Sequence, residues 1–254
     1  MTKALKGKIA MITGASSGIG WATAEALASQ GADLILCGRR KNRLEKLQSL
    51  LGTACHLMVF DVGDKRSVFE KIESLPKPFS KIDILINNAG NAHGLNPVQM
   101  ADLEDWDAMI DSNVKGLMYV TKAVLPIMIS QKTGHIINIG SIAGKEVYPK
   151  GSVYCSSKFA VDAFTKGLRL DLNPIGIKVS AIHPGMVDTE FSEVRFKGDK
   201  GKASQVYKGL TPLVAKDVAD VILYMILAPK HVNIADVLLL PTAQANTYVA
   251  NRKP

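Results

Sequence analysis

Tyr154 and Lys158 stand four positions apart in the stretch SVYCSSKFA, residues 152–160. At helical spacing the two share one face, and together they could move a proton. A phenol has an unperturbed pKa of about 10 and is a sluggish acid–base group near neutrality; a neighbouring ammonium favours the phenolate, at about 1.4 kcal/mol for each pKa unit of lowering. Taken alone, the pair equally describes an exposed aromatic with a lysine one turn along. Ser141, 13 residues earlier, offers a hydroxyl that can orient a carbonyl oxygen and stabilise charge developing on it. Asn113 falls inside a long helical pattern, where asparagine is a poor helix former and needs a reason. What decides between the readings is whether the rest of the chain builds a site around these groups.

The elements that would position them can be read from periodicity. Short apolar runs at 8–13, 33–37, 55–60, 82–86, 134–139, 177–182 and 235–240 alternate with helix-period segments near 18–30, 41–51, 64–75, 102–131, 152–172 and 214–227. The runs are continuous rather than alternating, as expected of strands covered on both faces of a parallel sheet. Strand–helix alternation throughout predicts an α/β fold: one doubly wound (Rossmann) domain over 1–254, with a parallel seven-stranded sheet and helices on both faces. Ligands of such a sheet bind beyond the carboxyl ends of its strands. The chemically interesting residues fall there.

After the first strand comes Thr13-Gly14-Ala15-Ser16-Ser17-Gly18-Ile19-Gly20, then a helix. Glycines permit a tight turn and close approach to a pyrophosphate, while the helix N-terminus supplies amide donors and a positive dipole. The spacing is Gly-x-x-x-Gly-x-Gly rather than the common Gly-x-Gly-x-x-Gly. The second strand ends in Cys37-Gly38-Arg39-Arg40, with no carboxylate where an NAD-selective fold places one. Two guanidiniums can instead hold a 2′-phosphate through charge-assisted forks, so NADP(H) is the expected cofactor. Asp61-Val62 follows the third strand and Asn87-Asn88-Ala89-Gly90 the fourth, both suited to the adenosine half; Asp61 could equally cap the helix near 64.

TGASSGIG, NNAG, the Asn of DSNVKG, the Ser of IGS, YCSSK and PGMVDT occur in the order and spacing of the short-chain dehydrogenase/reductase family, which the chain resembles over residues 5–242. The resemblance implies a Tyr154–Lys158–Ser141–Asn113 catalytic set, with Lys158 also on the nicotinamide ribose and Asn113 holding a water in a proton relay. It further implies cofactor contacts from Gly14, Ser16, Ser17, Gly18, Ile19, Gly20, Arg39, Arg40, Asp61, Val62, Asn88, Ala89 and Gly90, and from Pro184, Gly185, Val187 and Thr189 in the nicotinamide-side loop. FSEVRFKGDKGKA and APKHVNIADVLLLPTAQ resemble the NADP-dependent 3-hydroxy acid dehydrogenases, also described as serine or L-allo-threonine dehydrogenases. The alternatives are a reductase of a neutral ketone or 3-oxoacyl thioester and, in a different class, a non-catalytic NADP(H)-binding protein. By the same analogy the chain is expected to form a homotetramer or homodimer.

Residues 189–209 are polar and glycine-punctuated, and predict a mobile substrate lid. Arg195 in this lid is the candidate partner for a substrate carboxylate. Lys145 and Tyr148, after Ser141, are further candidates to line the pocket. His183, at a strand end before a proline, reads as structural, Cys155 as packing, and the tail 242–254 has no strong apolar pattern.

Composition bounds the rest. Apolar residues make up 47% of the 254 and charged residues 21%, as in an ordinary globular chain. No apolar run approaches the 18 or more residues of a membrane span, and no secretory signal pattern opens the chain. The three cysteines have no metal-ligand spacing, so no metal is expected and a reducing cytoplasm fits best. The formal charge of +8 is dispersed rather than gathered into a basic run, which argues against nucleic acid and leaves a small molecule as the expected partner.

Overall fold

Continuous apolar runs, flanked by helices long enough to cross back, leave the chain one economical arrangement: strands side by side with helices on each face. The computed structural model describes residues 3–253. In chain order its elements are β1 (Ile9–Thr13), α1 (Gly18–Ser29), β2 (Asp33–Gly38), α2 (Lys41–Leu50), β3 (Cys55–Val59), α3 (Lys65–Glu73), β4 (Ile84–Asn87), α4 (Leu103–Ile110), α5 (Leu117–Gln131), β5 (Gly134–Ile139), α6 (Ser152–Leu172), β6 (Ile177–Pro184), β7 (Val187–Asp188), α7 (Phe191–Arg195), α8 (Lys200–Gln205), β8 (Leu213–Val214), α9 (Ala215–Leu227) and β9 (Asp236–Leu239). The main sheet runs β3-β2-β1-β4-β5-β6-β9, with every neighbouring pair parallel.

Side chains one apart on a strand go to opposite faces. Ala10, Ile12, Leu34, Leu36, Ile86 and Ile137 therefore pack under α1, α2 and α9, with Leu27, Leu44, Val218 and Ile222. Met11, Ile35, Leu85, Ile136 and Val179 pack on the other face against Val68, Val120, Val124 and Leu168 of α3, α5 and α6. This two-sided burial is why the strand sequences read as unbroken apolar runs.

A polar line crosses the second of these faces. Asn87 Nδ2 donates to Thr121 Oγ1 and to Asn138 Oδ1, both at 2.9 Å, and Asn138 Nδ2 donates to Thr165 Oγ1 at 2.8 Å. All four residues are buried. Neighbouring strands β4 and β5 are thereby tied at their carboxyl ends to α5 and α6, which fixes where the first turn of α6, carrying Tyr154, stands over the sheet.

Two segments differ from the expectation. The helix over 102–131 is interrupted by a π-helical turn, Asp111–Gly116, with Asn113 inside it. Such turns insert a residue into a helix and re-aim the side chains beyond it. The segment 189–209 is not irregular: it carries the short helices α7 and α8, and its two ends are held together by the parallel pair β7–β8, Val187 to Leu213 and Asp188 to Val214.

The glycine turn is the tightest joint. Gly14 and Gly18 hold φ of 65° and 53°, where a side chain is strained. Gly20 sits so close that an added Cβ would lie 2.5 Å from both Asn88 Nδ2 and the Gly14 carbonyl oxygen. Gly20→Ala is expected to cost about 1–3 kcal/mol, as overpacking against backbone does, measured as a lowered midpoint in chemical denaturation. Gly167 in α6 has open space around it. There the same change is expected to add about 0.5–1 kcal/mol, because alanine is the better helix former.

Candidate active site

A cleft of about 560 Å³ opens where the strand order reverses between β1 and β4 and extends along the carboxyl ends of β2, β5 and β6. Its floor begins at the glycine turn. Thr13 Oγ1 accepts from the amides of Asn88 and Ala89 at 3.0 and 2.9 Å, and Asn88 Nδ2 donates to the carbonyl of Thr13 at 2.9 Å. These bonds staple the ends of β1 and β4 together. Ser17 starts α1 without a side-chain cap bond, which leaves the first-turn amides to whatever anion lies against them.

At the second strand's end, Arg40 donates through Nε and Nη2 to Ser16 Oγ at 3.2 and 3.0 Å and through Nη2 to Ser17 Oγ at 2.7 Å. Arg39 reaches Asp61 at 3.3 Å, and Asp61 also accepts from Gly63 N at 2.9 Å. The cap of α3 is Asp64, which accepts from Ser67 N, so Asp61 is left to line the cleft.

The other half of the cleft is built on α6 and the lid. Tyr154 lies in the first turn of α6, buried in a small apolar cluster with Ala143, Cys155 and Met109. Lys158, one turn on, is buried and donates from Nζ to the Ile139 carbonyl at 3.0 Å. Burial alone pushes its ammonium down to a pKa of about 8. Ser141 stands at the end of β5, its Oγ accepting from Ala143 N at 3.1 Å. Burial raises the Tyr154 phenol above its ordinary value, and Arg195 and then the Ser141 hydroxyl pull it back. Lys158, the tuner expected from spacing, stands 6.0 Å from the ring centroid. Arg195 is nearer, its Cζ 4.9 Å from the Tyr154 centroid.

Arg195 sits among three aromatic rings, also 5.2 Å from that of Phe191 and 5.8 Å from that of Tyr148. Its Nη2 donates to Tyr148 Oη at 2.7 Å, and its Nε is buried without a partner among the described residues. A guanidinium held this way can accept an anion on its free edge. The other basic residues of the lid turn outward: Lys197 pairs with Asp105 at 2.9 Å and Lys202 with Asp199 at 3.1 Å.

Nearly all the expected residues line this one cleft: Gly14, Ser16, Ser17, Gly18, Ile19, Arg39, Arg40, Asp61, Val62, Asn88, Ala89, Gly90, Ser141, Tyr148, Tyr154, Lys158, Pro184, Gly185, Val187, Thr189 and Arg195. Three do not. Gly20 faces Asn88 and Gly14 rather than the cleft, and serves the packing of α1. Asn113 is buried behind it. Its Oδ1 accepts from Asn91 N and its Nδ2 donates to Asn91 O, both at 2.8 Å, with a further bond to Ser157 Oγ at 3.0 Å. The side chain is therefore spent on pinning Asn91, which does line the cleft. Lys145 is drawn away by two carboxylates, Asp162 at 2.8 Å and Asp236 at 2.6 Å. Buried His183 joins that cluster, within 3.3 Å of Asp236, and lies under Gly140 with Nδ1 3.3 Å from the Ser141 carbonyl. It does not touch the cleft.

The tail supplies residues that sequence reasoning missed. Gln244 Oε1 accepts from Met186 N at 2.8 Å, Thr247 donates to Glu146, and Arg252 donates to the carbonyls of Lys208 and Val206 at 2.6 and 2.9 Å. Gln244, Thr247 and Arg252 all line the cleft. Only Gly185 carries a hint, since a Cβ there would meet Gln244 Oε1 at 2.2 Å; the pairing partner is invisible without the fold.

Residues 8–200 match the family model described as short chain dehydrogenase. An NADP-dependent 3-hydroxy acid dehydrogenase of Schizosaccharomyces pombe is 46% identical, covering 98% of both chains. Its namesake in Escherichia coli strain K12 is 43% identical over 93% of this chain and 96% of that one. A solved structure, the closed form of serine dehydrogenase complexed with NADP+, superposes with a TM-score of 0.91 at 41% identity, covering 97% of this chain and all of that one. With that match spanning most of the chain, and Ser141, Tyr154 and Lys158 gathered in one cleft, the protein belongs to the short-chain dehydrogenase family.

Proposed function

We propose that the protein interconverts a short 3-hydroxy acid and its 3-oxo form with NADP(H), and that Arg195 holds the acid. The cleft fits this cofactor. Its glycine turn and α1 amides suit a pyrophosphate, Ser16, Arg39 and Arg40 suit a 2′-phosphate, and Asp61, Val62 and Asn88–Gly90 border the adenosine side. Pro184, Gly185, Val187 and Thr189 would border the nicotinamide, and Lys158 its ribose. When bound, NADPH supplies the hydride to the carbonyl carbon and NADP+ accepts it in the reverse direction.

The remaining work falls to side chains of this chain. In reduction, Tyr154 Oη gives its proton to the oxygen that becomes the alcohol, and in oxidation it takes that proton back. The Ser141 hydroxyl donates to the same oxygen and holds it against the phenol. Lys158 places a buried positive charge beneath Tyr154, while Asn113 acts through Asn91, fixing the wall of the cleft opposite. The observation that carries the substrate assignment is Arg195: a guanidinium in van der Waals range of the Tyr154 ring, caged by aromatics, with a buried and unpartnered Nε. A carboxylate there leaves a 3-oxo group within reach of Tyr154.

Oxidation of 3-hydroxybutyrate, 3-hydroxypropionate, serine and L-allo-threonine with NADP+, set against reduction of a neutral ketone and an acetoacetyl thioester, tests the reading. The acids should show the higher kcat/KM. Tyr154→Phe should keep NADPH binding and lose about 10²–10⁴ in turnover. Because Arg195 also acts on the phenol, Arg195→Met will slow every substrate; the informative quantity is the ratio. Its kcat/KM for an acid should fall about 10- to 100-fold further than for a neutral ketone, the worth of one charge-assisted pair. Equal losses would sink the acid assignment.

Lys158 gives a pH prediction. Its pKa is near 8 in the folded chain against 10.5 unfolded. As pH falls the unfolded chain takes up the proton first, so the charge costs stability progressively from pH 10.5 to 8 and fully below. Lys158→Met should thus be inactive, yet its stability relative to wild type should be better at pH 7 than at pH 10.5 by about 1–3 kcal/mol in denaturant unfolding. A stability difference independent of pH would show that folding leaves the lysine's pKa unshifted.

A further inference from the structure

Glu190 is the first residue of the lid beyond Thr189, and it forms the N-terminal boundary of α7 without using its side chain to cap that helix. The carboxylate turns instead to the end of the second strand and to α2. Oε2 accepts from Arg40 Nη1 at 2.7 Å, and Oε1 accepts from Arg43 Nη1. Burial opposes the charge, but the two arginines outweigh it and keep Glu190 ionised below the ordinary carboxylate range. Arg40 is thereby spent on both sides, with its Nε and Nη2 on the Ser16 and Ser17 hydroxyls and Nη1 on the lid. Nothing in the sequence set Glu190 or Arg43 apart, yet Glu190 lines the cleft.

We infer that Glu190 is a specificity-determining residue: an internal anion that competes with the ribose 2′-phosphate for Arg40 and Arg43. The inference rests on the NADP(H) reading above. A phosphate monoester carries about −1.5 to −2 charges and offers strong acceptor oxygens, the same chemistry as a carboxylate with more charge. It would need the donors that Glu190 holds, and it would repel that carboxylate at close range. Around this corner Arg39, Arg40 and Arg43 face Asp61 and Glu190, so the local balance is one positive charge. Removing the Glu190 charge doubles it and frees donors of Arg40.

The position of Glu190 also gives the competition a consequence. The helix it begins is five residues long and ends at Arg195. One end of α7 therefore touches the phosphate-binding arginines, and the other places the guanidinium over Tyr154. A phosphate that displaces Glu190 acts on the same short helix that positions the substrate's anchor.

The test is equilibrium binding of NADPH, NADH, adenosine 2′,5′-bisphosphate and 5′-AMP to the full-length wild type, Glu190→Gln and Glu190→Ala, by calorimetry at two salt concentrations. Both variants should bind NADPH and the bisphosphate about 3- to 10-fold more tightly, the range expected from relieving partly exposed charge contacts. NADH and 5′-AMP should change less than about twofold, and the gain should shrink in high salt. If wild type itself does not prefer NADPH to NADH, the cofactor reading fails. If it does prefer NADPH but the variants bind NADPH equally or more weakly, Glu190 is no competitor and the inference is overturned.

Discussion

A buried ammonium is the constraint around which the site is built. Lys158 is enclosed one helical turn from Tyr154, and burial opposes its charge. The surroundings answer with a carbonyl and with closely packed glycines rather than with a carboxylate. Ile139 O accepts from Nζ at the end of β5, and Gly90 and Gly144 come so near that a Cβ on Gly90 would lie 3.7 Å from Nζ and one on Gly144 2.6 Å from the Lys158 carbonyl. A carboxylate partner would hold the lysine more firmly but would cancel its positive charge. The pairing that Lys158 forgoes is seen a short way off in Lys145, which sits on two carboxylates and takes no part in the cleft.

Holding an unpaired charge in place requires a rigid frame, and the frame is polar where polarity costs least. Asn87, Asn138, Thr121 and Thr165 bond to one another across the carboxyl ends of β4 and β5, with Asn87 Oδ1 left without a partner among the described residues. Buried amides without partners would be expensive, whereas a connected line specifies one register between strands and helices. Asn113 repeats the device at the π-helical turn, trading two bonds with the backbone of Asn91. A regular helix from 102 to 131 would turn that side chain elsewhere; the inserted residue aims it inward.

The parts of this design that were legible in the sequence share a property: each is local. Apolar runs gave the seven strands because both faces are covered, the glycine turn gave the joint after β1, and Tyr154 and Lys158 lie one turn apart on a single helix. Motif order then placed Ser141 beside them. What could not be read depends on segments distant in the chain. Lys145 has the right type and neighbourhood for the pocket, but Asp162 and Asp236, 17 and 91 residues on, claim it. Gln244, Thr247 and Arg252 reach the cleft only because the tail folds back over the lid, a path with no periodic signal. The π-helical turn carries no periodic signal either; at its end Gly116 packs so close to Val62 that a Cβ would lie 2.7 Å from Val62 Cγ2.

The two halves of the cleft are held by different physics. The glycine turn and α1 rest on an apolar core in which Ala24, Leu27, Val218 and Ile222 are fully buried. Segment 189–209 is tied mostly by partly exposed polar contacts: Glu190 to Arg40, Lys197 to Asp105, Ser192 to Tyr207, Tyr207 to the Val187 carbonyl, and Arg252 to the carbonyls of Val206 and Lys208. Contacts of that kind contribute about 0–1 kcal/mol each, where apolar burial contributes several. The ties of segment 189–209 are thus weak and separable, whereas the glycine-turn side rests on the core itself. β7 and β8 pin the two ends of that segment together. Arg195 belongs to α7 within this segment, so the residue proposed to hold the acid is kept over the residue proposed to move the proton by those weaker ties rather than by the core.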